Sequence, residues 1–402
     1  MKLLLLPANN TLSHIAKCLA LRACLAARDH VIRLAASRRH APFLERLRVP
    51  HLVLPDIQEG DHGSIPSMAW FEPDRFATCV RAEAEAIRAF KPDRVLGIFC
   101  FTAPASTRLA GVPYDSLICG CMIPECRDVL GFDWGEPGIE AQARGLALFR
   151  RHAARLASVA LARLGLPRVE DAYTLLKGER TFLWDFQEFL PLAAGPDVTH
   201  VGPITWDGWP RDGFDPDRVA AVGRPLALVA LGTGWVPPNA VTRIVRVLLQ
   251  LGYGVVLAAG GQRNLVALFP GEPRVAAFEF VPIGEVLPLV SLVICHGGQM
   301  LVFEALRHAV PVVVMPLQPE QAHNGVCLER IGCGRRLVPP RPFLGDAQVY
   351  LDALGLLTDA DLTREVRGLV EGPDTARHLA RMSAIIRGYD GVGRMAGLLE
   401  GA

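Results

Sequence analysis

The stretch from Phe280 to Leu337 constrains this chain more than any other. Within it an apolar run, Leu292 to Cys295, ends in His296-Gly297-Gly298, and a helical pattern starts at once. A buried strand feeding a helix through two glycines predicts a parallel α/β unit. The same turn is shaped to receive a diphosphate. Glycines allow close backbone approach, and the first amides of the following helix have no intrahelical acceptor. A second apolar strand, Pro311 to Met315, runs into Pro319-Glu320-Gln321. A carboxylate and an amide at a strand's carboxyl end lie where open α/β sheets bind ligands, and they suit sugar hydroxyls.

The rest of the chain repeats this rhythm. Leu3–Leu6, Val31–Ala35, His51–Leu54, Arg94–Phe99 and Asp115–Cys119 read as strands, separated by helical patterns at His14–Arg28, Phe76–Phe90 and Ala103–Ala110. In the second half Leu226–Ala230, Gly254–Ala258, Val275–Phe278, Leu292–Cys295 and Pro311–Met315 alternate with helices such as Ala240–Leu251. Strand–helix alternation predicts doubly wound parallel sheets. With 402 residues there is room for two such domains, each of roughly 150–200 residues. The Gly-, Pro- and Asp-rich segment 201–219 separates the halves. The expected division is 1–202, a linker at 203–217, 218–374, and C-terminal helices over 375–402 that pack back towards the N-terminal domain.

Composition removes several function classes. Formal net charge is +1, which gives no electrostatic case for nucleic acid. Ten cysteines are scattered without a C-x-x-C pair or zinc-ligand spacing, as expected for thiols in a reducing compartment. The N-terminal MKLLLLP is too short for a signal-peptide core, which needs about 7–15 apolar residues, so a cytoplasmic protein is expected. Two D-x-D triplets, Asp215–Asp217 and Asp359–Asp361, precede helical patterns and read as helix caps rather than a metal site. The segment Ala143–Leu164 is a basic amphipathic helix with Leu148, Phe149, Leu156, Val159 and Leu164 as apolar markers. Such a helix can touch a membrane surface, but a core-facing helix with one solvated side is the favoured reading.

On these residues the chain resembles the GT-B glycosyltransferases, in particular the family of bacterial macrolide and plant flavonoid glycosyltransferases. His296-Gly297-Gly298, Glu304-Ala305-Leu306, Val310-Pro311 and Pro319-Glu320-Gln321 with Asn324 match that family's donor signature in order and spacing. Leu164–Pro167 and Val201–Pro203 resemble the end of its acceptor domain, and Leu231-Gly232-Thr233 resembles the turn after the first strand of its donor domain. The resemblance implies two Rossmann-like domains facing each other across a cleft. It implies an inverting transfer of sugar from an NDP-sugar (UDP or dTDP) to a hydroxyl of a small, largely apolar acceptor such as a natural product or lipid. No cofactor beyond the NDP-sugar co-substrate, and no metal, is implied.

By the same resemblance His14 is the catalytic base. Neutral imidazole, with an ordinary pKa near 6.5, can take a proton from an acceptor hydroxyl. Thr233, His296, Gly297 and Gly298 would hold the diphosphate, Glu304 the ribose, and Glu320 and Gln321 the sugar. Trp70, Phe71, Phe99, Phe101 and Trp134 would suit an apolar acceptor. Three positions depart from the family pattern. Leu301 stands where a phosphate-binding Ser or Thr is usual, Ile283 where a glutamine contacts the nucleoside, and Ile98 near where an acid orients the histidine. Two other readings therefore stay open: a non-catalytic nucleotide- or ligand-binding protein of the same shape, and a nucleotide-sugar epimerase.

Overall fold

A computed structural model describes residues 1–59, 67–192, 195, 197–342 and 348–401. The chain divides into two compact units. One comprises residues 1–127, 144–206 and 389–402; the other comprises 128–143 and 207–388.

The first unit is built on a seven-stranded parallel sheet. Its strands are β1 (Lys2–Pro7), β2 (Val31–Ala36), β3 (His51–Val53), β4 (Arg94–Ile98), β5 (Tyr114–Ile118), β6 (Arg180–Leu183) and β7 (Val198–His200). Their order is β3-β2-β1-β4-β5-β6-β7. The second unit carries β8 (Leu226–Ala230), β9 (Gly254–Ala258), β10 (Val275–Phe278), β11 (Leu292–Cys295), β12 (Val312–Val314) and β13 (Gly334–Arg336), in the order β10-β9-β8-β11-β12-β13. All pairings in both sheets are parallel. Both units are thus doubly wound, and the central strands are apolar end to end because helices cover both faces. Leu3, Leu4 and Leu5 of β1 and Leu292, Val293 and Ile294 of β11 have no exposed surface.

Each sheet reverses its winding at one place: between β1 and β4 in the first unit, and between β8 and β11 in the second. Helices leave such a pair in opposite directions and open a crevice at the strands' carboxyl ends. Those four ends are Pro7, Ile98, Ala230 and Cys295, and the residues just after them are the ones that matter below.

Three short strands escape the sequence pattern. β6, β7 and β13 have three or four residues, and Thr181, His200, Arg335 and Arg336 interrupt their apolar character. The helix Thr375–Arg387 belongs to the second unit, where Ser383 Oγ and Arg387 Nε both donate to the Arg307 carbonyl (2.7 and 3.0 Å). Only the last helix, Gly391–Glu400, joins the first unit, and Glu400 there meets Arg28 and His30, each at 2.8 Å. Residues 128–143 group with the second unit through Arg330, paired with Asp128 (2.5 Å) and Asp133 (2.8 Å), and Arg336, paired with Glu136 (2.6 Å). The basic helix runs Ile139–Arg163, and its buried face is made largely of Ala153, Ala154, Ala157 and Ala160. Leu148 and Val159, two of its expected apolar markers, point outward. No helix among the described residues is long and apolar enough to cross a membrane.

One buried ion cluster ties three strands of the first sheet together. Asp115 of β5 has no side-chain exposure and receives Arg94 of β4 at 2.9 Å and Arg180 of β6 at 2.5 Å. Removing one partner of a buried pair leaves uncompensated charge. Asp115→Ala is therefore expected to lower the unfolding free energy by about 3 kcal/mol in a denaturant titration, well beyond the effect of an exposed Asp→Ala change.

Candidate functional site

The turn after β11 is held by backbone packing. Gly297 has φ +89°, and a β-carbon there would sit 2.7 Å from Val314 Cγ1 and 2.8 Å from the Gln321 carbonyl. At Gly298 a β-carbon would fall 2.6 Å from His296 Nε2. Both positions therefore exclude a side chain. Asn324 Nδ2 donates to the Gly297 carbonyl at 2.8 Å and to Glu320 Oε1 at 2.7 Å, which locks this turn to the helix Pro319–Arg330. The helix Gln299–Arg307 starts immediately, with Gly298 as N-cap and no side-chain cap bond. The first turn of an α-helix has no intrahelical acceptor for its amides, and three residues separate this one from the end of β11.

Around this turn lie the other residues expected to hold a donor. The His296 ring is half-buried beside Gly232 of the β8 turn, and Nδ1 lies 3.5 Å from the Ala230 carbonyl. Burial lowers its pKa, so the ring is a neutral donor or acceptor rather than a cation. Thr233 is exposed on the same β8 turn. That turn is braced by Gln262, which donates to the Gly234 carbonyl (2.8 Å) and accepts from Val236 N–H (3.4 Å). Sequence reasoning passed over Gln262; its signal was the Gly260-Gly261-Gln262 run directly after β9. Glu304 is partly buried and pairs with Arg307 at 3.3 Å. Glu320 keeps partial exposure at the start of its helix. Gln321 is buried, with its carbonyl oxygen already taken by Leu317 N–H at 2.9 Å. Leu301 lies within the first turn of the helix after Gly298, and Ile283 opens the helix Ile283–Val286.

In the first unit His14 sits in the first turn of the helix Leu12–Ala26, which follows β1. It is only 7% exposed. Its ring stacks on Phe99 at 5.3 Å and tilts against Trp184 at 5.7 Å. Nδ1 lies 3.3 Å from the Ala8 carbonyl. A carbonyl can only accept, so this contact places the proton on Nδ1 and leaves the lone pair on Nε2. No acid is needed at Ile98 to set that tautomer. Desolvation, then the positive charge of Lys17, pushes the His14 pKa down to about 3. Lys17 itself lies over the Trp184 ring at 4.4 Å.

The aromatic residues divide. Phe99 and Phe101 follow β4, in T-shaped contact at 5.7 Å, and Phe99 holds φ +54°. Trp70 and Phe71 have no exposed surface; they pack edge-on against Phe101 at 6.4 and 5.0 Å and form the core beneath it. Trp134 is 65% exposed and belongs to the second unit, not to the N-terminal domain that the sequence boundaries implied. The D-x-D triplets act at helix starts: Asp215 accepts from Asp217 N–H at 3.0 Å, while at the second triplet Thr358 and Asp361 form a capping box. Among the described residues no group of three or more His, Cys, Asp or Glu is arranged to hold a metal.

Residues 236–338 match the glycosyltransferase family 28 C-terminal domain. The chain is 35% identical over 118 residues to a demethyllactenocin mycarosyltransferase of Streptomyces fradiae, covering 29% of this chain and 26% of that relative. It is 24% identical over 394 residues to a PGL/p-HBAD biosynthesis glycosyltransferase of Mycobacterium tuberculosis, covering 94% of this chain and 90% of the relative. Among solved structures, the spinosyn rhamnosyltransferase SpnG complexed with thymidine diphosphate superposes with a TM-score of 0.70 at 18% identity, covering 100% of both chains.

The buried histidine has a consequence for stability. Its pKa falls from 6.5 to about 3 on folding, so the unfolded chain takes up a proton first as the medium is acidified. The stabilisation is fully present above pH 6.5 and is lost as pH falls towards 3. His14→Gln should therefore show a shallower acid destabilisation than the parent, by up to about 1.4 kcal/mol per pH unit, in denaturant titrations across that range.

Proposed function

We propose that this chain is a glycosyltransferase of the GT-B fold that moves a sugar from a UDP- or dTDP-sugar to a hydroxyl of a small, largely apolar acceptor, with inversion at the anomeric carbon. The observation that carries the reading is the coincidence of both candidate residue sets with the winding reversal of their own sheet. His14 and Phe99 follow β1 and β4; Thr233 and His296 follow β8 and β11.

In the second unit the diphosphate would lie against the N-terminal turn of the helix that follows Gly298, with the Thr233 hydroxyl and His296 as further donors. Donors fixed before reaction stabilise the charge that develops on the leaving diphosphate. Backbone amides supply this even though Leu301 carries no hydroxyl. Glu304 would accept from the ribose hydroxyls, and Glu320 with Gln321 would face the sugar. Gln321 would then do so through its amide nitrogen, because its oxygen is occupied. In the first unit His14 Nε2 would remove the acceptor's proton as the oxygen attacks. A ring this poorly solvated is a neutral base at any physiological pH. It favours proton transfer concerted with bond formation over formation of a free imidazolium. Phe99 and Phe101 would give the acceptor an apolar wall. Mycarosyl- and rhamnosyl-transferring relatives, and the thymidine diphosphate held by a structural relative, support a dTDP-sugar as the first donor to test.

Two results check this reading. In thermal unfolding, dTDP or UDP at about 100 times its dissociation constant should add roughly 2.7 kcal/mol to stability, while GDP should shift the midpoint less. His14→Ala should lower kcat by about 10²–10⁴-fold and leave dTDP affinity unchanged. Full transfer activity in that variant would remove His14 from the mechanism. Conversion of the donor sugar with no acceptor present would favour epimerisation.

A further inference from the structure

Behind the β1 turn the first unit encloses a small polar pocket of about 30 Å³. The backbone of Pro7–Asn9 forms one wall, and the others come from Leu54, Asp56, Gln58, Glu83 and Phe101. The volume admits about two waters or one small functional group. Its chemistry is lopsided. Gln58 is 4% exposed, yet neither its side-chain oxygen nor its nitrogen has a hydrogen-bond partner. Glu83 is 7% exposed; Thr102 Oγ1 donates to its Oε1 at 2.6 Å, and its Oε2 accepts nothing. Asp56 receives one bond, from Gln58 N–H at 3.1 Å. Asn9 is satisfied by the Pro7 carbonyl and Ser37 N–H.

Three buried polar atoms therefore stand open: Gln58 Oε1, the Gln58 amide nitrogen, and Glu83 Oε2, which accepts whenever the carboxyl is ionised. Two carboxyls share the enclosure. Burial pushes Glu83 up to about 7 and Asp56 up to about 6, and the charge of Asp56 adds to the rise at Glu83. An occupant that donates hydrogen bonds would relieve both the missing contacts and the crowding of negative charge. The pocket also shares its walls with the candidate base. The loop that bounds it supplies the Ala8 carbonyl to His14, and Phe101 contacts the Phe99 ring on which His14 stacks.

We infer that this pocket is a specificity subsite that takes a hydrogen-bond-donating tip, an ammonium or a hydroxyl, carried on an otherwise apolar acceptor. The inference rests on the first unit being the acceptor-binding part of a glycosyltransferase. It adds that the acceptor is not uniformly apolar. Leu54 and Phe101 contact its body, while Glu83 and Gln58 read a polar substituent other than the hydroxyl that reacts.

The test needs no known acceptor. The full chain is titrated with benzylamine, benzyl alcohol and benzyltrimethylammonium at constant ionic strength. The side-chain amide resonance of Gln58, identified by its loss in Gln58→Leu, is followed by NMR. Benzylamine or benzyl alcohol should move that resonance saturably, and the tighter of the two identifies the tip as ammonium or hydroxyl. Benzyltrimethylammonium, which has charge and no donor, should bind at least about tenfold more weakly. Glu83→Gln keeps an acceptor for Thr102 and should weaken benzylamine by about tenfold. A resonance that none of the probes moves would mean the pocket holds water only and would overturn the inference. Equal binding of benzyltrimethylammonium, or no effect of Glu83→Gln, would do the same. Parallel titration with dTDP and UDP separates the two claims. Nucleotide binding without probe binding removes the subsite alone, and probe binding without nucleotide binding removes the glycosyltransferase reading.

Discussion

The close backbone approach after β11 is the constraint from which the second unit's site follows. Gly297 and Gly298 leave no space for side chains because Val314, the Gln321 carbonyl and the His296 ring fill it. Asn324 then reaches across and fixes the turn to the helix that carries Glu320. One residue thus sets the position of the turn before the helix and of the carboxylate together. A helix N-terminus is a general anion site; here it is held rigidly at the strand end where the sheet reverses its winding. Loss of the usual hydroxyl at Leu301 removes one side-chain donor and leaves the backbone donors in place.

The first unit solves a different problem with the same topology. A base must be neutral, oriented and dry enough that its lone pair is not spent on solvent. His14, the candidate for that role, has Phe99 and Trp184 on its faces and the Ala8 carbonyl at Nδ1. Desolvation first, and then the positive charge of Lys17, keeps it unprotonated. An orienting acid near Ile98 would raise the basicity of the ring; a backbone carbonyl orients it at lower cost in buried charge. The carboxyl nearest in function, Glu83, is instead turned to Thr102 in the pocket beyond the loop.

Much of this was legible in the chain. The long apolar strands and their alternation with helices gave both sheets, because a central parallel strand must be apolar on both faces. The spacing of His296, Gly297, Gly298, Glu304 and Glu320 placed one candidate site. What the sequence hid was set by tertiary packing. β6, β7 and β13 are too short and polar to show a period. Trp70 and Phe71 look like any exposed aromatic pair until the core closes over them. The basic helix has a core-facing side, but its alanines make it, while two of its expected apolar markers, Leu148 and Val159, are exposed. Gln58, whose side-chain amide has no partner, has no sequence signature.

The most direct measurement is a crystal structure of the chain with dTDP bound. The account predicts the diphosphate against the amides after Gly298, with His296 and Thr233 as donors and the ribose hydroxyls at Glu304. Nucleotide bound elsewhere, or a diphosphate that avoids the end of β11, would contradict it.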